Sequence, residues 1–252
     1  MNASAATSAP RSTWMVAAGN FIFHWRNAMF PLVFLAVAAA SKPLAPFGDE
    51  RADLWMDAVG LAIALAGQAL RFAVIGLAYI VRGGKDRRIH ADDLVVDGFF
   101  AHSRNPLYLG NMMILAGLLV VLNSPAGWLV GAPFYLFAYW AITLAEENFL
   151  RGQFGAAYDA YCGRVRNRFW PKLAGLGATM RSMEFNWRRV VRKEYGSTFS
   201  WFTTFLALLV WERAARGGGA AAMGILPAVG IAWVAAIGGY ATARTLKKQG
   251  RL

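Results

Sequence analysis

Long apolar stretches separated by short polar clusters set the character of this chain. Six of them come near the roughly 20 residues that a membrane-spanning helix needs: residues 28–45, 54–81, 106–122, 127–146, 198–213 and 220–243. The pattern predicts an all-α, polytopic membrane bundle of about six transmembrane helices. The first stretch is short and contains Pro31, and Ala38-Ala39-Ala40 imitates a signal cleavage site. The leader before it is long, however, and holds only Arg11 and Arg26, unlike the basic start of a signal peptide. It is therefore read as a span. Spans three and four are separated only by Asn123-Ser124-Pro125-Ala126-Gly127, a short uncharged turn that makes them an antiparallel helical hairpin. Gly217-Gly218-Gly219 reads as a tight turn between the last two spans.

Two amphipathic segments accompany the spans. Phe149, Leu150, Phe154, Tyr158 and Tyr161 recur at helical spacing, with Arg151, Asp159 and Arg164 on the polar side. Residues 183–195 interleave Phe185, Trp187, Val190 and Val191 with Arg188, Arg189, Arg192 and Lys193, as in a helix lying on lipid headgroups.

Composition agrees: 57% of residues are hydrophobic and 16% charged, against ~45–50% and ~25% in soluble domains, which excludes an ordinary soluble globule. Lysine and arginine number 26 against 14 acidic residues, for a net charge of +12. Their placement identifies the partner. With the N-terminus in the cytoplasm, the inner segments carry Arg11 and Arg26, the five basic residues from Arg82 to Arg104, the ten from Arg151 to Lys193 and the four from Arg244 on. Only Lys42, Arg51, Arg213 and Arg216 fall outside, with Arg71 inside a span. This is a positive-inside distribution, so both termini are expected in the cytoplasm and the basic residues against membrane lipids rather than nucleic acid. Abundant Ala, Gly and Arg suggest a GC-rich bacterial gene and hence the bacterial inner membrane. The single Cys162 excludes an intrachain disulfide, and three scattered histidines exclude a His/Cys zinc cluster; no metal is expected. The chain divides into a cytoplasmic N-terminal segment (1–27), a membrane core (28–172) and a basic interfacial helix followed by a C-terminal transmembrane hairpin (173–252).

The third-to-fourth hairpin fixes a site by depth alone. Pro106 lies 19 residues before Pro125, and Glu146 lies 21 after it, a difference of about 3 Å at the helical rise. The segment Arg104-Asn105-Pro106-Leu107-Tyr108-Leu109-Gly110 should therefore meet Glu146-Glu147 at the cytoplasmic boundary. Asn105 suits an N-cap and Pro106 a first helical position, leaving helix N–H groups to favour an anionic group. Gly110, one turn in, removes a side chain where a ligand or a second backbone could approach. Two adjacent carboxylates at a helix C-terminus oppose the macrodipole. They read as a site for a cationic or hydroxyl-rich cofactor, the alternative being salt bridges to Arg104 or Arg151. Arg71, about 16 Å from the end of its span, is an intramembrane arginine in search of an acidic or carbonyl partner, and Gln68 shares its face; a substrate contact and a structural ion pair are both open.

These residues resemble the isoprenylcysteine carboxyl methyltransferases, within the broader group of integral-membrane phospholipid methyltransferases. The motifs are Asp97-Gly98, Arg104-Asn105-Pro106-x-Tyr108-x-Gly110, Glu146-Glu147, Phe154-Gly155-x-x-Tyr158-x-x-Tyr161-x-x-Arg164-Val165 and Pro171, in order from about Gly67 to Pro171. The resemblance implies S-adenosylmethionine bound at the cytoplasmic end of the hairpin, lined by Arg104, Asn105, Tyr108, Leu109, Gly110, Glu146 and Glu147. Arg164 and Arg168 would lie by the cofactor or substrate head group, and Tyr158 with the arginines would close over the site; with Arg71 these form the candidate substrate side. Asn105 stands where the family often has histidine, and residues 183–252 have no counterpart in the family core. A lipid-like carboxylate is the expected methyl acceptor, since it needs no base. A phospholipid amine is the alternative, and Glu146, Glu147 or a tyrosine would then accept the proton. A sterol-type NADPH reductase and a non-enzymatic membrane scaffold or transporter are the competing classes.

Overall fold

The computed structural model describes residues 13–44, 50–77, 82–85 and 88–252; residues 1–12, with Arg11, and the end of the second span, 78–81, lie outside the described residues. Helix α1 spans Trp14–Ala40, with the Thr13 hydroxyl accepting from the Val16 N–H at 3.3 Å as its cap. Helix α1 thus begins more than three turns before the expected start of the first span at 28, takes in residues 14–27 and carries Arg26 into the bundle, and residues 41–44 fall beyond its end. Helix α2 spans Glu50–Leu77. Strands β1 (Arg82–Lys85) and β2 (Arg88–Ala91) form a small antiparallel hairpin, Arg82 opposite Ala91, which the apolar pattern did not anticipate. Helix α3 spans Pro106–Leu122, and α4 spans Ala132–Phe154 after a π-helical turn at Gly127–Gly131. Short helices α5 (Ala156–Arg164) and α6 (Leu176–Arg181) precede the long helical segment α7, Trp187–Lys248.

The protein is an all-α integral membrane bundle. Among the described residues, four helices are long and apolar enough to cross a membrane: Trp14–Ala40, Arg51–Leu77, Gly127–Phe154 and Ala222–Lys248. Helix α3 is a shorter apolar helix. The segment α7 is not one rod. The Tyr240 ring lies 5.3 Å from that of Tyr195 and 4.8 Å from that of Phe199, whereas a straight helix would hold residues 195 and 240 about 68 Å apart. The chain must double back, and the midpoint of that pair falls within Gly217-Gly218-Gly219, the triplet read as a turn. Val229 and Ala232 of the second limb accordingly pack on the cluster that contains Trp201, Phe205 and Leu206 of the first.

Helices α2 and α3 make the closest pairing. A Cβ placed on Gly117 would sit 2.3 Å from the Gly60 carbonyl oxygen, and one on Gly67 would sit 2.6 Å from that of Gly110. Both pairs are seven residues apart along their helices, so one face of small residues lets the two backbones touch. The α3–α4 turn is made as the sequence predicts. Asn123 takes a left-handed conformation (φ 34°), and its side-chain amide donates to the Leu44 carbonyl at 3.1 Å. The Ser124 hydroxyl accepts from the Gly127 N–H at 3.0 Å. Phe34, Ile114, Leu118, Tyr135 and Trp201 belong to the main core, which therefore joins α1, α3, α4 and α7.

Candidate functional site at the open end of the α3–α4 hairpin

Asn105 and Glu147 meet, as hairpin depth predicts: the Asn105 amide donates to the Glu147 carboxylate at 3.3 Å. What they build is partly different from the expectation. Glu147 is 4% exposed and saturated. Arg168 grips it with two donors, Nε at 3.1 Å and Nη2 at 2.9 Å, and Arg104 Nη1 lies at 3.6 Å. Backbone bonds complete the junction: the Arg104 and Asn105 N–H groups donate to the Asn167 and Arg168 carbonyls, each at 2.9 Å, and the Ser103 hydroxyl donates to the Phe169 carbonyl at 2.7 Å. The chain leaving α5 is thus laid across the start of α3 and clamped there by a two-pronged ion pair from the half-buried Arg168 to the buried Glu147. Neither glutamate is at a helix end, because α4 continues to Phe154. Asn105 occupies the N-cap position of α3 without capping it, its side chain being spent on Glu147 and the Arg168 carbonyl.

Beside this clamp opens a cavity of about 860 Å³ between α1, α3, α4 and the first limb of α7. This is near the upper end of the ~300–1,000 Å³ typical of ligand sites, with space for a nucleotide-sized molecule and a second ligand together. Its polar mouth consists of Arg104, Asn105, Tyr108 and Glu146. Arg104 donates to Cys162 Sγ at 3.3 Å, while its Nε is buried with no partner. Burial, the largest single influence, opposes the charge on this guanidinium, but Glu147, Cys162 and Tyr158 together outweigh it and the pKa rises above its ordinary value. An invariably charged guanidinium therefore borders the cavity. Tyr108 and Tyr139, rings 5.7 Å apart and tilted by 52°, and Phe30, 5.5 Å from Tyr139 and edge-on to it, supply an aromatic wall. Deeper in, Arg71, Asn111 and Glu194 form a second polar group, and Phe34, Leu115 and Leu118 an apolar one.

Several expected site residues are elsewhere. Glu147 and Arg168 consume one another and do not line the cavity. Gly110 turns to α2, where a Cβ would meet the Arg71 side chain at 2.6 Å, so its smallness serves helix packing. Leu109 is buried off the cavity wall, Tyr158 is packed with Leu150 and Tyr161, and Arg164 is on the surface. The alternative pairing offered for the glutamates fails for Arg151, which bonds Asp159 at 2.8 Å. The basic segment 183–195 is not a separate surface helix: Asn186 caps α7 by accepting from the Arg189 N–H at 2.9 Å, and its own N–H donates to the Gly76 carbonyl at 2.9 Å, docking the segment on α2.

Arg26, Asn111, Glu194 and Trp201 were not anticipated. Asn111 and Glu194 did leave a trace, as the isolated polar residue of an apolar helix and an acid directly after the basic cluster Arg188 to Lys193. Also unanticipated is a cluster at the opposite end of the bundle, where carboxylate oxygens of Asp53, Asp57 and Glu212 lie within 4.8 Å of one another and Arg216 pairs with Asp53 and Glu212.

Residues 56–157 match the phospholipid methyltransferase family, in agreement with the resemblance carried by the motifs. The match takes in α2, α3, α4 and the start of α5, and leaves out α1 and α7. No curated protein and no solved structure matches the chain.

Proposed function

We propose that this protein is a membrane methyltransferase that uses S-adenosylmethionine to methylate a lipid-like acceptor at the open end of the α3–α4 hairpin. One observation carries the reading. A single cavity joins a polar mouth of Arg104, Asn105, Tyr108 and Glu146 to an apolar interior of Phe34, Leu115 and Leu118, so a water-borne cofactor and a membrane-borne chain can meet in it. The family matched over 56–157 names the same chemistry.

The donor set fits the cofactor. The guanidinium of Arg104, which borders the cavity, suits its carboxylate, Glu146 its ammonium or ribose hydroxyls, and the Tyr108–Tyr139 wall its base. When bound, S-adenosylmethionine supplies a methyl group made electrophilic by a sulfonium. The chain's own residues then align and dry the reaction: Tyr108 and Tyr139 exclude water above the cofactor position, and the Glu147 clamp holds Arg104 and Asn105 still. Carboxylate acceptors, as in a prenylcysteine, attack as anions, and no side chain has to move a proton. This is the preferred acceptor. With a phospholipid amine, Glu146 is the residue placed to take the proton. The positive-inside charge distribution assigns the mouth, and both termini, to the cytoplasmic face of what composition suggests is a bacterial inner membrane.

The test uses detergent-purified protein and S-adenosylmethionine labelled in its methyl group. Calorimetry should show saturable cofactor binding, weakened about tenfold or more by Arg104→Ala and by Glu146→Ala, as loss of a charged hydrogen bond implies. Label transferred to a membrane extract should be released by mild base, as from an ester; base-stable label would identify an N-methylated amine. Unchanged affinity in both variants would remove the assignment of the mouth.

A further inference from the structure

We propose that the first limb of α7, which lies outside the family-matched segment, builds the acceptor half of the site: Glu194 is a positioning residue that fixes Arg71 to receive an oxyanion on the lipid acceptor. The inference rests on the cavity reading given above and adds the class of head group it accepts.

Arg71 sits in the interior of α2, where an unpaired cation is costly. Glu194 engages it with both oxygens, from Nε at 2.7 Å and Nη2 at 2.6 Å, and a further N–H goes to the Asn111 side-chain oxygen. The carboxylate is itself held, because Gln68 donates to it at 3.0 Å and Trp201 Nε1 donates to the Gln68 oxygen at 2.7 Å. A buried ion pair serving only neutrality needs no such backing. Here an indole, an amide and a carboxylate from α2 and α7 fix the plane of one guanidinium.

A guanidinium has five N–H donors in a planar fork. Three are used in these bonds, and Arg71 borders the cavity, which leaves donors for a ligand. The surroundings favour an anion. Arg26 and Lys193 border the same cavity, and among the described residues neither is in an ion pair, so the four cations of its wall, with Arg71 and Arg104, exceed its two carboxylates, Glu146 and Glu194. Position separates this group from the mouth: Asn111 is six residues past Asn105, about 9 Å further along α3, and the apolar wall of Leu115 and Leu118 begins just beyond. An amphiphile with its oxyanion at Arg71 therefore has its chain against apolar side chains and its head facing the cofactor position.

Carboxylates and phosphates share this chemistry, and the experiment separates them. The probes are three amphiphiles with one farnesyl thioether tail and a carboxylate, a phosphate or a neutral carboxamide head, offered to the full-length protein in non-ionic detergent without cofactor. The wild-type protein should be protected against thermal unfolding by one or both anionic probes and not by the carboxamide; the better probe names the oxyanion. Glu194→Gln and Arg71→Lys should each weaken that protection about tenfold in half-saturating concentration, with Glu194→Asp partly restoring it. Cofactor affinity should stay within about twofold of wild type, because the mouth is untouched. In turnover with the preferred probe the change should fall on KM rather than kcat. Equal protection by the carboxamide, or anionic protection undiminished in folded Glu194→Gln, overturns the proposal. Should Glu194→Gln fail to fold, Lys193→Gln, an exposed side chain, should lower anionic but not neutral binding, and no change there overturns it equally. Failure of the methyltransferase reading looks different: the wild-type protein would not bind S-adenosylmethionine, whatever the amphiphiles do.

Discussion

The two ends of the bundle bury opposite surpluses of charge. At the open end, Arg26, Arg71, Arg104 and Lys193 share a cavity wall with Glu146 and Glu194. At the other end, Asp53, Asp57 and Glu212 are all at least nine-tenths buried around Arg216, and none of these residues lines the cavity. Arg216 also donates to the Leu44 carbonyl at 2.5 Å, so one guanidinium ties the start of α2, the segment after α1 and the first limb of α7. Guanidiniums with spare donors beside open space suit a ligand. Carboxylate oxygens crowded in a packed junction face one another and Arg216, with Arg213 near enough to act on Asp57, and act as a structural knot. Buried charge alone therefore does not mark a binding site; the space beside it does.

The largest effect is expected at the knot. Arg216→Ala leaves Asp53 and Glu212 buried without their cation, and should cost about 3–5 kcal/mol of stability, read as a lowered midpoint in thermal unfolding. Acceptor KM and cofactor affinity of the protein that remains folded should not move. A shifted KM with unchanged stability would erase the distinction between the two ends. Glu147→Gln comes next. It removes the carboxylate from Arg168 and Arg104 together, and the loss of charged hydrogen bonds should cost about 2–3 kcal/mol. Because Arg104 borders the mouth, this variant should also bind cofactor less tightly, a coupling that Arg216→Ala lacks. Stability lost with cofactor affinity intact would mean that Arg104 keeps its place without Glu147.

How legible each end was follows from sequence separation. The meeting of Asn105 with Glu147 could be read because a five-residue uncharged turn, Asn123 to Gly127, fixes the depth of both arms. The reversal of α7 was legible for the same local reason, in its glycine triplet. That Glu147 is a clamp was not, since its partner Arg168 returns to α3 through irregular chain whose path no periodicity encodes. Arg71 announced that it needed an acid, yet Glu194 lies 123 residues away inside a basic run that reads as a lipid-facing helix. The knot left no signal at all: Asp53 and Asp57 look like an ordinary polar helix start, and Glu212 like the edge of a span. Helix existence, in short, followed from apolar length, while charge pairing depended on how helices distant in sequence turn towards one another.

The smallest expected effect is the most discriminating. Asp57 is the knot's third carboxylate, with no ion pair to Arg216 and with Oδ1 buried without a partner. Asp57→Asn keeps the shape, removes one of three acidic groups crowded within 4.8 Å of one another and adds two N–H donors beside the buried Glu212 oxygen that also lacks a partner. The knot reading expects a rise in stability of up to about 1 kcal/mol, since relieving like-charge repulsion and satisfying a buried acceptor act in the same direction. The same substitution in the Arg216→Ala background should recover part of the loss, because it lowers the charge left uncompensated there. At the open end the corresponding removal, Glu194→Gln, has the opposite sign, for it frees a cation instead of quieting an anion. If Asp57→Asn destabilises as much as Arg216→Ala does, the surplus is not a surplus: Asp57 must be ionised and held by a cation of its own, and the two ends would then be alike in using buried charge to hold a ligand.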